Sequence, residues 1–196
     1  ALSNPVPLPF PESEGTQSVY KSSTEDDAIV FAEEFTKLGG KFSFCVNEAE
    51  LTAQLSSLFK EQGWTNIYCR EPAFVQLLNN LSVQPYTSLP DCDVSITGCE
   101  YLVARTVSIL LSAAHVSGRT TSVYAPVHIC IAYNSQLLFD VKDALQFMKE
   151  KYKDNFPSFI SFATGPSRTA DIEKTLVTGV HGPKEVYCFL VENNRF

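Results

Sequence analysis

Two short stretches of this sequence carry the residue types and spacing that chemistry needs. The first runs Thr164-Gly165-Pro166-Ser167-Arg168-Thr169-Ala170-Asp171 and follows an apolar run at 159–163. If a helix opens there, the glycine turn brings backbone N–H groups close to a ligand. Ser167, Arg168 and Thr169 then add donors suited to a carboxylate or a phosphate. An alternative reads the same residues as a capped helix start, with Arg168 paired to Asp171 or Glu173. The second stretch, Gly179-Val180-His181-Gly182-Pro183, places a histidine in a tight loop. Such a histidine can take a proton from a substrate hydroxyl, or it is an exposed bystander. His128 begins an apolar run and reads as a hydrogen-bonded structural histidine, while His115 sits in a polar loop. A weaker group, Thr97-Gly98 followed by Glu100, offers a carboxylate at a strand end that can serve as nucleophile or base, or stand as a solvated or lysine-paired glutamate.

Those residues need a scaffold, and the apolar pattern specifies one. Residues 23–38 repeat apolar positions at helical spacing and stop at Gly39-Gly40. A strand at 41–46, a helix capped by Asn47, a strand at 65–69 and a helix at 71–81 follow. This alternation predicts an α/β fold with a mainly parallel sheet flanked by helices. The middle differs: 92–97, 105–112 and 127–133 are β-rich with no long helix between them, which predicts mixed pairing. A helix at 139–152 and strands at 159–163 and 185–192 complete the expected single domain, 23–196. Residues 1–22 form a separate arm with prolines at 5, 7, 9 and 11 alternating with Val6, Leu8 and Phe10. Such an arm can dock on a neighbouring subunit, making a homodimer possible, fold over its own domain, or stay unordered.

Composition narrows the partners. The net charge of -7 and the lack of any long Lys/Arg run argue against nucleic acid and anionic membranes. No apolar run has the length of a membrane span and the N-terminus does not read as a signal peptide, so the expected location is cytoplasmic. Six cysteines, at 45, 69, 92, 99, 130 and 188, show no metal-ligand spacing, so no metal is expected; they read as buried thiols, with redox work by Cys92 and Cys99 as the alternative. No motif encodes a recognisable cofactor, and the cofactor stays unknown.

The run TGPSRTADIEKTLVTGVHGPKEVYCFLV, residues 164–191, closely resembles the signature of LUD-domain proteins, in particular the iron–sulfur-free component of bacterial lactate-utilisation systems. DVSITG at 93–98 with Glu100-Tyr101, and Pro126-Val127-His128-Ile129, are weaker echoes. The resemblance spans roughly 91–192. It implies a fold like the NagB/RpiA/CoA-transferase group and participation, with iron–sulfur partner proteins, in oxidising L-lactate to pyruvate. One departure stands out. Where the family is expected to carry an acid followed by T-G-T, this chain has Arg105-Thr106-Val107-Ser108. Valine disfavours the positive φ that glycine allows, so a different turn or ligand approach is expected there. Three functions are weighed: a lactate-oxidation component, a stand-alone transferase or isomerase using Glu100, and a module that binds a small carboxylate or phosphate without turnover.

Overall fold

The computed structural model describes residues 26–172, 175–179 and 181–192, and of 169–172 and 175–178 the backbone alone; the arm at 1–22 lies outside the described residues. Five strands, β1 (Lys41–Cys45), β2 (Ile67–Cys69), β3 (Val94–Thr97), β6 (Val127–Tyr133) and β11 (Glu185–Val191), form one all-parallel sheet in the order β1-β11-β6-β3-β2. Central strands of such a sheet are covered on both faces, which is why β6 and β11 are apolar almost throughout.

Helices α2 (Glu48–Gln62) and α3 (Pro72–Asn80) bury Leu51, Leu55, Phe59, Phe74 and Leu78 against one face. The Asn47 side chain accepts from the Glu50 N–H at 2.9 Å and starts α2, and Gly63 ends it at φ 68°. The other face packs on α1 (Asp27–Lys37), through Phe31 and Phe35, and on a second sheet. That sheet joins β7 (Leu137–Leu138), β4 (Tyr101–Val103), β5 (Ser108–Ser112) and β8 (Ile160–Ala163) in the order β7-β4-β5-β8. Its outer side is closed by α5 (Val141–Tyr152), which buries Ala144 and Met148 against Val103 and Leu110. The mixed pairing expected of 92–97, 105–112 and 127–133 holds only for the second: β3 and β6 pair parallel within the main sheet, while β5 joins the separate layer, where β4 and β5 are antiparallel and β4 and β7 parallel. A one-turn helix, α4 (Thr121–Tyr124), leads into β6.

One expectation is corrected. Residues after Ser167 do not open a helix: β9 (Arg168–Ile172) and β10 (Thr175–Thr178) form an antiparallel hairpin. Thr169, Ile172, Thr175 and Val177 are β-branched, and they favour an extended chain. Ser167 also uses both its N–H and its C=O on neighbouring loops, so no row of open helix N–H groups exists at this point. All six cysteines are buried free thiols.

Candidate functional site

The fold brings the two glycine-containing stretches together at the N-terminal ends of β6 and β11. Gly165 turns at φ 90° after β8. Ser167 then donates its N–H to the Pro183 carbonyl at 2.9 Å and accepts from the Gly179 N–H at 3.0 Å. The contact is close: a Cβ on Gly182 would stand 3.0 Å from the Ser167 Cβ. Gly165, Pro166, Ser167, Gly179, His181 and Gly182 thus form one double loop. Lys184 anchors it by donating its N–H to the Pro126 carbonyl at 2.8 Å, just ahead of β6. Beside the loop lies a hollow of about 340 Å³ lined by Val123, Tyr124, Gly179, His181 and Gly182. His181 is exposed at its rim.

A strip of hydroxyls continues from this double loop into the β4–β5 turn. The Ser108 hydroxyl donates to the Thr106 carbonyl at 3.0 Å and stands 3.3 Å from the Thr164 hydroxyl. The Thr106 hydroxyl is buried without a hydrogen-bond partner among the described residues. The departure from the family pattern therefore falls inside this region. Arg105 turns away from the strip: its Nε donates to Asp140 at 2.9 Å and its guanidinium reaches the second carboxylate oxygen at 3.3 Å. Asp140 caps α5, so Arg105 ties the β4–β5 turn to that helix start.

Val107 holds φ 53° and is buried, so the tight turn persists with a β-branched residue in the left-handed region. Left-handed strain in a non-glycine residue costs roughly 1–2 kcal/mol. Burying the valine contributes about 2 kcal/mol, and glycine adds a backbone-entropy cost of roughly 0.5–1 kcal/mol. Val107→Gly is thus expected to destabilise the fold by about 1 kcal/mol. A urea titration checks this, and a stabilised variant would show that the strain outweighs the packing.

Arg168 donates to the carbonyl of Leu38, the C-cap residue of α1, where a cation also meets the negative end of the helix. Thr169 and Asp171 lie on β9, and their side chains fall outside the described part.

Thr97, Gly98 and Glu100 are not part of the double loop. They leave the C-terminal end of β3, opposite the end where β6 and β11 begin. There they join a constellation that sequence reasoning missed. Glu71 occupies the N-cap position of α3 but does not cap it; its carboxylate accepts instead from the Gly98 N–H at 2.8 Å and the Ser117 hydroxyl at 2.6 Å. His115 lies between two carboxylates, with Nδ1 3.7 Å from Glu71 and Nε2 3.5 Å from Glu100. Glu100 accepts from Lys151 at 2.8 Å, from Tyr152 at 2.7 Å and from Ser112.

The Glu71 carboxylate raises the pKa of His115 above its ordinary value, with Glu100 adding to the effect. Glu71 and Glu100 are both held below the usual glutamate range: burial opposes ionisation, but hydrogen bonds from His115, Ser117 and Gly98, and from Lys151, Ser112 and Tyr152, outweigh it. No spacing signal marked Glu71 or His115, because their partners are separated widely in sequence. Among the described residues no group of three or more His, Cys, Asp or Glu is arranged to hold a metal ion.

Residues 82–191 match the LUD domain, more than half of the chain. The chain belongs to the LUD-domain family. Similar curated proteins include the lactate utilization protein C of Bacillus velezensis, 35% identical over 103 residues, 52% of this chain and 43% of that protein. The lactate utilization protein C of Halalkalibacterium halodurans is 33% identical over 105 residues, covering 53% of this chain and 45% of that protein. The matched stretch is thus less than half the length of either relative. The crystal structure of a DUF162 family protein from Deinococcus radiodurans has the same fold, with TM-score 0.62 at 18% identity over 85% of this chain and 99% of that one. The LUD-domain match contains the double loop, the hydroxyl strip and Glu100, whereas Glu71 lies ahead of it. No helix among the described residues is long and apolar enough to cross a membrane.

Proposed function

We propose that this LUD-domain chain acts in lactate utilisation by binding a small hydroxy carboxylate at the double loop, the two electrons of its oxidation going to iron–sulfur partner proteins and its carbon-bound hydrogen leaving as a proton. The observation that carries this reading is the joining of Gly165–Ser167 to Gly179–Gly182, which sets His181 at the rim of a hollow of about 340 Å³. That volume is in the range of small-molecule sites. Similarity to proteins named for lactate utilisation supports this choice of substrate class. In this reading His181 takes the hydroxyl proton, and the hydroxyls of Thr164 and Ser167 hold the carboxylate; a phosphate would suit the same donors.

Calorimetric titration of the purified chain with L-lactate, pyruvate and inorganic phosphate tests this proposal, together with a pull-down from cells grown on lactate. Binding of lactate is expected. Gly182→Val, which drives a side chain into Ser167, should weaken it by about tenfold or more, or roughly 1.4 kcal/mol. His181→Ala should lower lactate-dependent dye reduction by the assembled complex more than it lowers lactate affinity. If none of the three compounds binds at millimolar concentration, the double loop is not a ligand site. Binding of lactate without recovery of iron–sulfur partners or dye reduction would favour a module that binds without turnover.

A further inference from the structure

Strand β1 is an edge of the parallel sheet among the described residues, and its outer side is left open. The Cys45 carbonyl accepts from Glu192 on the β11 side at 2.8 Å. Peptide groups alternate along a strand, so Lys41 and Ser43 also face β11, while Phe42 and Phe44 face outward. Of the outward groups, the Phe44 carbonyl meets Gln54 at 3.3 Å and the following Val46 N–H meets Glu50 at 2.9 Å. The Phe42 N–H and C=O and the Phe44 N–H have no hydrogen-bond partner among the described residues. Apolar surface accompanies this edge: Phe44 is 41% and Val46 50% exposed. Between β1, β11 and α2 lies an open cleft of about 420 Å³, with Phe42, Leu58, Tyr187 and Phe189 in its lining. Uncovered edges of this kind invite pairing, and proteins ordinarily cover them.

The same chain contains a segment whose chemistry fits the edge. In Pro5-Val6-Pro7-Leu8-Pro9-Phe10-Pro11 the prolines occupy every second position. In an extended strand, alternate residues direct their N–H groups to the same side. Val6, Leu8 and Phe10 would thus present all their N–H groups to β1, and the prolines, which have none, would face away from the sheet where no donor is required. Val6, Leu8 and Phe10 also share one side-chain face, opposite to the proline rings. The stretch from Pro11 to Asp26, the N-cap of α1, reaches up to about 50 Å when extended, against roughly 17 Å for the length of β1. We infer that the open edge of β1 and the cleft beside it are the docking site of residues 5–11 of the same chain, added as a sixth strand with its apolar face towards α2.

Amide hydrogen exchange of the full chain, read by NMR at Phe42 and Phe44, tests the inference. These amides are expected to exchange about a hundredfold more slowly than in Leu8→Pro, which removes a donor facing the edge. Pro9→Ala, which restores an N–H on the far side, should leave the protection in place, and Leu8→Asp, which puts a charge into the cleft, should abolish it. Ile129 in β6 reports that each variant is folded. Equal exchange in the full chain and in Leu8→Pro overturns the proposal. Protection that disappears on dilution, with a dimeric mass before it, also overturns it by placing the segment on a second copy.

Discussion

Between pH 6.5 and about 4 the protein is expected to lose about 3 kcal/mol of stability through His128. His128 is buried on β6, and its Nε2 stands 2.8 Å from the Thr97 hydroxyl. Thr97 spends its own proton on the Gly98 carbonyl at 2.8 Å, so the hydroxyl oxygen accepts and Nε2 carries the proton of a neutral imidazole. Burial pushes the imidazole pKa down to about 4, with the distant Glu71 carboxylate opposing weakly. A folded pKa below the unfolded one means that the unfolded chain binds more protons in this window. The contribution is complete above pH 6.5 and is lost as pH falls towards 4.

The other groups of the region bend the profile without removing this slope. His115 is raised, so its contribution is complete below pH 6.5 and fades as pH rises through its folded value. Glu71 and Glu100 are lowered, and theirs fades only as pH falls below the ordinary glutamate value of 4.5. Stability should therefore peak near neutrality. Urea unfolding of the native chain and of His128→Gln at pH 5 and pH 7 separates the contributions. The variant should be less stable at pH 7, where the native hydrogen bond and packing are intact, yet much flatter with pH. An unchanged slope in the variant would assign the acid sensitivity to other groups.

The legibility of this fold in the sequence follows from local signals. Buried parallel strands such as β6 and β11 are long apolar runs, and α2 has both its Asn47 cap and its Gly63 stop, so periodicity and punctuation locate them. Strands β4 and β7 have three and two residues, too few to show a period, and the pairing of Leu102 with Leu137 joins segments far apart in the sequence. Thr-Gly-Pro-Ser opens a helix or a hairpin equally well, so the sequence does not separate the two; what decides is the bonding of Ser167 to Pro183 and Gly179, a tertiary fact. The proximity of the two glycine stretches is likewise not written locally, although each stretch is legible alone.

Arg105 shows the reverse case. Its departure from the expected pattern was visible at once, but its role was not, since Asp140 is far away in sequence. The Glu71–His115–Glu100 group is the extreme example, because the residues lie at the N-cap of α3, in a loop and just ahead of β4. Only the stacking of the two sheets brings them together. Physically, local chemistry writes itself into spacing, and chemistry assembled between layers does not.

Glu100→Ala is expected to destabilise the fold by about 3 kcal/mol, and the distribution of that loss distinguishes a structural clasp from a reactive carboxylate. Glu100 is 2% exposed, and its backbone N–H donates to the Leu110 carbonyl at 2.8 Å, fixing it where β4 meets β5. Lys151 and Tyr152 reach it from the last turn of α5, and Ser112 from the end of β5. Removing the carboxylate leaves the Ser112 and Tyr152 hydroxyls without their acceptor and His115 with one flanking carboxylate instead of two. Hydrogen bonds to a charged group contribute roughly 1.5–3 kcal/mol each, but they are not additive within one network. The Lys151 side chain is 50% exposed and returns to water, so its own pairing adds little.

Lys151→Ala should consequently cost about 1 kcal/mol or less, because Tyr152, Ser112 and His115 still compensate the buried charge. Tyr152→Phe, which keeps the ring and deletes one donor, should fall between the two. A Lys151→Ala loss as large as that of Glu100→Ala would make the ion pair the main contributor, contrary to the burial asymmetry. Glu100→Gln carries the sharper test. The amide keeps one acceptor and replaces the other with an N–H₂ facing Lys151, so a clasp must lose stability. A carboxylate kept for chemistry at a cost to the fold would instead become more stable on substitution, since active-site charges are commonly retained against stability. Loss of about 2 kcal/mol in Glu100→Gln is the expected result, and it would assign the group to holding β4, β5 and α5 together.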